Sequence, residues 1–257
     1  MPTIRWPICE SRGSEDFAML ANAVNTLGRS GTLAKNVHLP ATFRDELLAF
    51  IADELPRWRD RPERPAETSE TILTSQLCAH LNSVARHSVG WDVLQFRVEE
   101  PDEQRRGRKI DLVPAPCGAT VWIEGRGYTD FDSLLPMECK RLPTPKDKDR
   151  DEREYVFNKH ATTGGMQRFK AGHHGSAHKL GAMIAYVQEE TIAIWHKRVE
   201  EWIIGLVQSG QPGWTANDLI YLERDADAAG VVIYRSSHAR AAELPEIKLC
   251  HLWIRMN

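Results

Sequence analysis

Four short segments rich in apolar residues follow one another between residues 93 and 142, and this run constrains the fold more than any other feature of the sequence. Charged or turn-forming residues separate the segments, a pattern typical of β-strands. The segments are VLQFRVEE (93–100), KIDLVPAP (109–116), ATVWIEG (119–125) and LLPMECKRL (134–142). Further strands are predicted at LGAMIAYV (180–187), DLIYLE (218–223), VVIYRSSH (231–238) and IKLCHLWIRM (247–256). A chain with this pattern is expected to build a sheet.

Segments with helical periodicity surround these strands. Apolar residues recur at helical spacing in 41–59, and the proline-bearing connector 60–67 ends that helix. A second helix is predicted at 68–86, a short helix around GGMQRFKAG (164–172), and a strongly amphipathic helix at 191–208.

The order of these elements predicts an α/β fold: a mixed central sheet flanked by helices, with extra C-terminal strands. We assign residues 1–60 to a helical N-terminal extension and residues 61–257 to the main domain. The apolar side of the last helix includes Trp195 and Trp202. We expect this side to belong to the core, although it could also serve a partner or a dimer interface.

Composition narrows the class of protein. No apolar run approaches the roughly 18–20 residues that span a bilayer, and the first residues lack the pattern of a secretory signal. Five scattered cysteines without a CxxC pair indicate reduced thiols, so we expect a cytoplasmic protein without a membrane partner. The net charge of −3 does not exclude nucleic acid, because basic clusters such as RRGRK (105–109) act locally.

Glu138 and Lys140 lie at the end of the apolar segment 134–142. Side chains alternate across a strand, so these two share one face while Met137 and Cys139 point to the other. A carboxylate and an ammonium group on one face of a buried strand form either a surface ion pair or a functional site.

Two further acids lie where apolar residues are expected. Asp111 stands between Ile110 and Leu112 but faces the opposite side of its strand, and Glu70 lies at the N-terminal end of the apolar stripe of helix 68–86. Folding can bring these acids to Glu138 and Lys140. Gathered carboxylates repel one another and are most simply neutralised by a hard divalent cation such as Mg²⁺.

The series of Glu70 on a helix, Asp111 on a strand and Glu138-Cys139-Lys140 on the next strand resembles the PD-(D/E)xK nuclease superfamily. Its restriction endonuclease-like core has the element order αβββαβ, and the resemblance covers residues 68–188, about half of the chain. The resemblance implies metal-dependent hydrolysis of phosphodiester bonds, with DNA as the expected substrate, an endonuclease action and a role in restriction or anti-phage defence.

The resemblance also implies the roles of the residues. Asp111 and Glu138 would bind Mg²⁺, for which Mn²⁺ could substitute, together with the backbone carbonyl of Cys139. Lys140 would be the catalytic lysine, and Glu70 an auxiliary acid from the first core helix. A second copy of the chain or a defence-system protein is the expected protein partner.

The sequence departs from the superfamily pattern in two respects. Lysine and isoleucine precede Asp111 where the motif has proline, and 27 residues separate Asp111 from Glu138, which leaves room for an extra hairpin. Glu124 followed by Arg126 is a rival for the ExK motif. We prefer Glu138, because arginine cannot be deprotonated and is less suited to activating water.

Basic and polar residues after the motif suggest contacts to nucleic acid. In GGMQRF (164–169), Gln167 and Arg168 are predicted to face the site, and the two glycines would let backbone amides approach an anion. Arg141, Arg168 and Lys170 are predicted to position the phosphate backbone without reading bases.

Two other classes remain open. His174 and His178, with His173, could bind zinc, but the intervening Gly and Ser disfavour a rigid helix and no HExxH motif is present. Alternatively, the chain could be a nuclease fold without catalysis that binds nucleic acid or assembles a complex. The complete set of Glu70, Asp111, Glu138 and Lys140 favours the enzyme.

Overall fold

The helices and strands follow the order expected from the sequence. The computed structural model describes residues 43–102, 108–146, 150–240 and 244–257, which belong to one unit spanning residues 36–257. The helices in these segments are α1 (Phe43–Arg59), α2 (Glu70–Ala85), α3 (Gly165–Lys170) and α4 (Ile192–Gln208). The strands are β1 (Leu94–Pro101), β2 (Lys109–Pro116), β3 (Val121–Ile123), β4 (Arg126–Tyr128), β5 (Met137–Leu142), β6 (Leu180–Val187), β7 (Tyr221–Ala226), β8 (Val231–His238) and β9 (Ile247–Arg255).

Seven of the strands in the described part of the chain form one mixed sheet in the order β1-β2-β5-β6-β9-β8-β7. The pairs β5–β6 and β6–β9 are parallel, and the other neighbours are antiparallel. Among the described strands, β3 and β4 pair with each other alone, as a small hairpin inserted between β2 and β5. The expected mixed central sheet is therefore present.

Helices cover both faces of the sheet. On β6, Ala182, Ile184 and Tyr186 pack in one core with α1 and α2, whereas Met183, Ala185 and Val187 pack in a second core with α4. Because both faces are covered, residues 181–187 are all buried and the strand is apolar throughout, as parallel strands in α/β proteins usually are.

Helix α1 packs into the same core as the sheet through Leu47, Ile51 and Leu55. The sequence places this helix in the N-terminal extension. Residues 1–42 of that extension lie outside the described residues, so their predicted helical character and the boundary at residue 60 stay predictions.

Helix α4 contributes the apolar stripe predicted for it. Trp195, Val199, Ile203 and Leu206 are buried in the second core, and Trp202 packs against it half-buried. At its start, the Thr191 side chain accepts a hydrogen bond from the backbone N–H of Ile194. The stripe belongs to the core, as expected.

Two predicted boundaries were wrong. The strand predicted at 218–223 begins at Tyr221, because Asp218 is buried in a 3-10 helix and accepts a hydrogen bond from the Thr215 N–H. The segment predicted as a turn after residue 125 contains strand β4. Among the described helices, none is long and apolar enough to cross a membrane.

Candidate active site

Strands β2 and β5 separate close to the predicted site. Their register contains a single pair, Leu112 with Met137. Beyond this pair, the backbone N–H of Cys139 donates to Asp111 Oδ2 at 2.8 Å. The Asp111 carboxylate therefore accepts the hydrogen bond that a strand carbonyl would otherwise take, and it lies between the two strands.

Strand β5 brings Glu138 and Lys140 to the same place. Lys140 Nζ lies 2.9 Å from Glu138 Oε1, 3.8 Å from Asp111 Oδ2 and 3.0 Å from the Cys139 carbonyl oxygen. Glu138 is fully buried and Lys140 nearly so. The two side chains share one face of β5, as the strand alternation predicts.

Glu70 is the first residue of helix α2 and completes the group. Its Oε1 lies 3.2 Å from Lys140 Nζ, and its Oε2 accepts a hydrogen bond from the Arg141 backbone N–H at 3.1 Å. The fold thus gathers Glu70, Asp111 and Glu138 around Lys140. We call these four residues and His174, described below, the active-site cluster.

The lysine remains charged in this setting. Burial alone would lower the pKa of Lys140, but the negative charges of the three carboxylates outweigh burial and raise this pKa above its usual value. The ammonium group is therefore a fixed positive charge at the centre of the cluster.

The charged form of Asp111, in contrast, is disfavoured by its surroundings. Loss of water around its carboxylate and repulsion by Glu138 raise its pKa to about 7, although Lys140 and the Cys139 N–H act against this rise. The carboxylates of the cluster are thus incompletely neutralised by the protein.

Two residues that follow the motif contact Glu138. Arg168 Nη1 donates to Glu138 Oε1 at 2.5 Å, while His174 Nδ1 lies 3.3 Å from Oε2. Burial and the charge of Arg168 lower the pKa of His174 to about 4, so its imidazole is neutral at neutral pH. Within the described residues, Glu138 Oε2 and His174 Nδ1 are both buried without a hydrogen-bond partner.

Two clefts meet at Asp111. The larger has a volume of about 390 Å³, and basic or polar side chains surround Asp111 in it: Arg108, Lys109, Thr162, Thr163, Arg168, His173 and His174. The smaller, of about 180 Å³, contains Glu70 and Glu99. The cluster is therefore open to solvent at Asp111, next to positive charge.

The oxygens that the resemblance assigns to Mg²⁺ surround the Lys140 ammonium group, since Asp111, Glu138 and the Cys139 carbonyl each place one within 3.8 Å of Nζ. Among the described residues, no three His, Cys, Asp or Glu side chains are already arranged to hold a metal ion. The donors nevertheless fit a hard divalent cation, because they are oxygens and Glu138 Oε2 has no partner in the described segments. Such a cation would also relieve the repulsion that raises the pKa of Asp111.

Gln167 does not reach the cluster. Its side-chain oxygen accepts hydrogen bonds from the backbone N–H groups of Asn158 and Gly164, so it caps its own helix. The predicted anion site at the two glycines is also corrected. The N–H of Gly165 donates to the Glu154 carbonyl, and the next two amides donate to the carbonyls that follow.

Packing explains why glycine occupies both positions. A Cβ at Gly164 would lie 2.5 Å from Phe157 Cα, and one at Gly165 would lie 2.4 Å from Met183 Cε. The two glycines allow α3 to approach the chain around Phe157 and the β6 strand.

Lys170 was predicted to contact nucleic acid, and its position corrects this prediction. It is buried, its ammonium group bonds the Asp218 carboxylate, and it lies over the Trp214 ring. Arg141 is partly exposed at the end of β5, with its guanidinium group bonded to the Thr68 carbonyl.

Lys170 begins a chain of buried polar contacts that we call the buried network. Asp218 Oδ1 lies 2.6 Å from His238 Nδ1, and Ser236 Oγ lies 2.6 Å from His238 Nε2 and 2.7 Å from His251 Nε2. Tyr155 and Trp253 continue the chain, because the tyrosine hydroxyl contacts His251 Nδ1 at 2.7 Å and accepts from Trp253 Nε1 at 2.8 Å.

The rival motif lies elsewhere. Glu124 is exposed in the turn between β3 and β4, where its Oε2 lies 3.8 Å from Arg44 Nη1. The geometry therefore favours Glu138. The sequence did not predict the neighbour of His174: this residue was considered as one of a zinc-binding pair with His178, whereas its Nδ1 lies 3.3 Å from Glu138 Oε2.

Comparisons of the chain with protein-family models, with curated proteins and with solved structures find no match. Its function therefore has to be inferred from the geometry of the site.

Proposed function

We propose that this protein is a divalent-metal-dependent nuclease that hydrolyses phosphodiester bonds of nucleic acid, with DNA as the expected substrate. One observation carries the proposal: acids from three separate elements, Glu70, Asp111 and Glu138, surround the buried Lys140 beside a cleft lined by basic side chains. Three carboxylates are costly to gather, and a site that handles the negatively charged phosphate explains both the acids and the neighbouring cations.

The order of elements around the site supports the finer proposal of a restriction endonuclease-like core. Once the β3–β4 hairpin is set aside, α2, β1, β2, β5, α3 and β6 follow the order αβββαβ. Asp111 and the Glu138-Cys139-Lys140 segment occupy neighbouring strands of this core.

The residues of the chain have distinct tasks in this proposal. Lys140 holds a permanent positive charge where negative charge develops on the phosphate. Arg168 fixes the Glu138 carboxylate, while Arg108 and Lys109 attract the backbone of the substrate. Asp111, Glu138 and the Cys139 carbonyl would hold Mg²⁺, which supplies Lewis-acid polarisation of the phosphate when bound.

The test is a cleavage assay with plasmid, linear and single-stranded DNA and with RNA, each in Mg²⁺, in Mn²⁺ or in EDTA. We expect metal-dependent cleavage that is lost in Lys140→Ala. The matched control is Lys197→Ala, which removes an exposed lysine from α4 and should leave the rate unchanged. A circular plasmid that is nicked or linearised would show endonuclease action.

Two other outcomes would replace the proposal. Binding of nucleic acid that survives EDTA and Lys140→Ala, without cleavage of any substrate, would indicate a non-catalytic module. Cleavage that is supported by Zn²⁺ but by neither Mg²⁺ nor Mn²⁺, and that fails in His178→Ala, would indicate a zinc hydrolase. A role in restriction or anti-phage defence remains part of the proposal and depends on cleavage of foreign DNA.

A further inference from the structure

We infer that Glu138 Oε2 and His174 Nδ1 together bind a transition-metal ion, so that the candidate active site takes Mn²⁺ in preference to Mg²⁺. This inference deepens the proposed function and rests on it for the identity of the site. It adds a nitrogen ligand to a set that, in the sequence-based expectation, consists of oxygens alone.

Both atoms lack a partner in the interior of the protein. Glu138 is fully buried and His174 is 2% exposed, and neither Oε2 nor Nδ1 makes a hydrogen bond within the described residues. The other oxygen of Glu138 is already used by Lys140 and Arg168. Buried polar atoms are normally satisfied, so two adjacent unsatisfied atoms call for a third group that binds both.

The spacing of the two atoms suits a shared metal ion. They are 3.3 Å apart, which is long for a hydrogen bond. Two ligands at about 2.1 Å from one ion, separated by this distance, subtend an angle of roughly 105°. That angle lies between the octahedral and tetrahedral values, so the side chains need little rearrangement to hold the ion.

One nitrogen and one carboxylate oxygen as ligands favour a transition-metal ion over Mg²⁺. Imidazole nitrogen is a good ligand for first-row transition metals, whereas Mg²⁺ prefers oxygen ligands and near-ideal octahedral geometry. A histidine binds a metal through an unprotonated ring nitrogen, and His174 Nδ1 makes no hydrogen bond within the described residues. Mn²⁺ accepts a mixed set of nitrogen and carboxylate ligands and is the natural probe.

Glu138 and His174 supply two ligands and leave other coordination positions of the ion for Asp111, solvent and substrate. His174 and Asp111 line the same cleft, so an ion bound by the buried Glu138 and His174 atoms would lie beside this cleft, next to Asp111. Open positions are typical of catalytic rather than structural metal sites.

The experiment uses the full chain, freed of metal with chelator and then titrated separately with Mn²⁺ and Mg²⁺. Calorimetry gives the two affinities, and pulsed electron paramagnetic resonance of bound Mn²⁺ detects a coordinated nitrogen. The variant is His174→Gln, and the matched control is His173→Gln, which changes the neighbouring histidine of the same cleft. Circular dichroism checks that each variant is folded.

We expect wild-type protein to bind Mn²⁺ at least about tenfold more tightly than Mg²⁺ and to show nitrogen coupling. His174→Gln should lose the coupling and most of the preference, whereas His173→Gln should keep both. Absence of nitrogen coupling in wild-type protein, which requires no variant to fold, would overturn the inference, as would coupling that persists in His174→Gln. Nitrogen coupling without any cleavage would contradict the proposed function alone, and Mg²⁺-supported cleavage without nitrogen coupling would contradict this inference alone.

Discussion

The active-site cluster and the buried network contain similar side chains but differ in how completely their polar atoms are hydrogen-bonded. In the buried network, Asp218 is matched by Lys170 and His238, and the contacts continue to Ser236 and beyond. In the active-site cluster, Glu138 Oε2 and His174 Nδ1 have no hydrogen-bond partner within the described residues, and repulsion by Glu138 helps to raise the pKa of Asp111.

This difference separates a structural role from a functional one. A buried polar network whose members satisfy one another rigidifies a core, whereas unsatisfied groups and excess charge are tolerated where a ligand supplies the missing partner. The buried network even contains an aspartate, a histidine and a serine in hydrogen-bonded sequence. Their nearly complete burial and mutual satisfaction favour a structural role for this arrangement.

Helix α3 connects the two groups. It directs Arg168 to Glu138 in the active-site cluster and Lys170 to Asp218 in the buried network. Arg168 and Lys170, two positions apart on one short helix, thus serve a functional and a structural group respectively. The comparison can be tested by substitutions in the active-site cluster, in the buried network and in helix α3, which contacts both.

The largest effect is expected from Asp111→Asn. The amide can still accept the hydrogen bond from the Cys139 N–H, so the backbone geometry should persist, but the negative charge is lost. Cleavage should fall by about a thousandfold, because the site loses a charge on which the proposed metal binding depends. The initial rate on plasmid DNA in Mn²⁺ measures this loss, and activity close to wild type would remove Asp111 from the site.

The same substitution should stabilise the metal-free protein. A carboxyl group whose folded pKa is raised from 3.8 to about 7 binds more protons in the folded than in the unfolded state between these values. The free energy of unfolding therefore falls as pH rises from about 4 to 7, by on the order of 1–3 kcal/mol for this partly exposed group. In EDTA, denaturant unfolding of Asp111→Asn should lack this decline and exceed wild-type stability at pH 7–8.

Asp218→Ala should have its main effect on stability. It leaves the Lys170 ammonium group and His238 buried without their carboxylate, which typically costs about 3–5 kcal/mol. The control is Asp53→Ala, which breaks an exposed pair with Arg224 and should cost less than about 1 kcal/mol. Urea unfolding measures both. A small effect at Asp218 would contradict the structural role of the buried network.

A substitution in helix α3 tests whether this helix positions both Arg168 and Lys170. A Cβ at Gly165 would lie 2.4 Å from Met183 Cε and 2.8 Å from the Tyr155 carbonyl, so Gly165→Ala should destabilise by about 1–3 kcal/mol and displace both Arg168 and Lys170. Gly205→Ala is the matched control. Its Cβ meets no atom within 4 Å on α4, so a gain of about 0.5–1 kcal/mol is expected. If Gly165→Ala reduced stability without reducing Mn²⁺ affinity or cleavage, α3 would not couple the two groups.

Local pattern in the sequence was sufficient to predict much of the fold and the centre of the site. Helical spacing identified α1, α2 and α4, and alternation on β5 placed Glu138 and Lys140 on one face. Local pattern singled out Glu70 and Asp111, but their convergence on Lys140 was expected from the resemblance of the series Glu70, Asp111 and Glu138-Cys139-Lys140 to a known superfamily.

The surroundings of the site depended on contacts between distant segments. Arg168, Lys170 and Gln167 lie on one turn of helix, and no local pattern separates the side chain that reaches Glu138 from the one that reaches Asp218 or the one that caps the helix. The role of His174 depends in the same way on a loop that returns to β5. Each choice is fixed by tertiary packing.

The smallest effect is expected at the open side of the cluster, where Lys109 lines the cleft next to Asp111. Lys109 is 61% exposed and pairs with Glu99, so its removal should hardly change stability. If the cleft binds a phosphate backbone, Lys109→Ala should weaken DNA binding a few-fold and reduce the slope of log affinity against log salt by about 1. Fluorescence anisotropy in EDTA measures binding without cleavage, and Lys197→Ala on α4 is the control for an exposed lysine that does not line the cleft. Equal losses in the two variants would show that Lys109 has no special part in binding and that this cleft does not hold the nucleic acid.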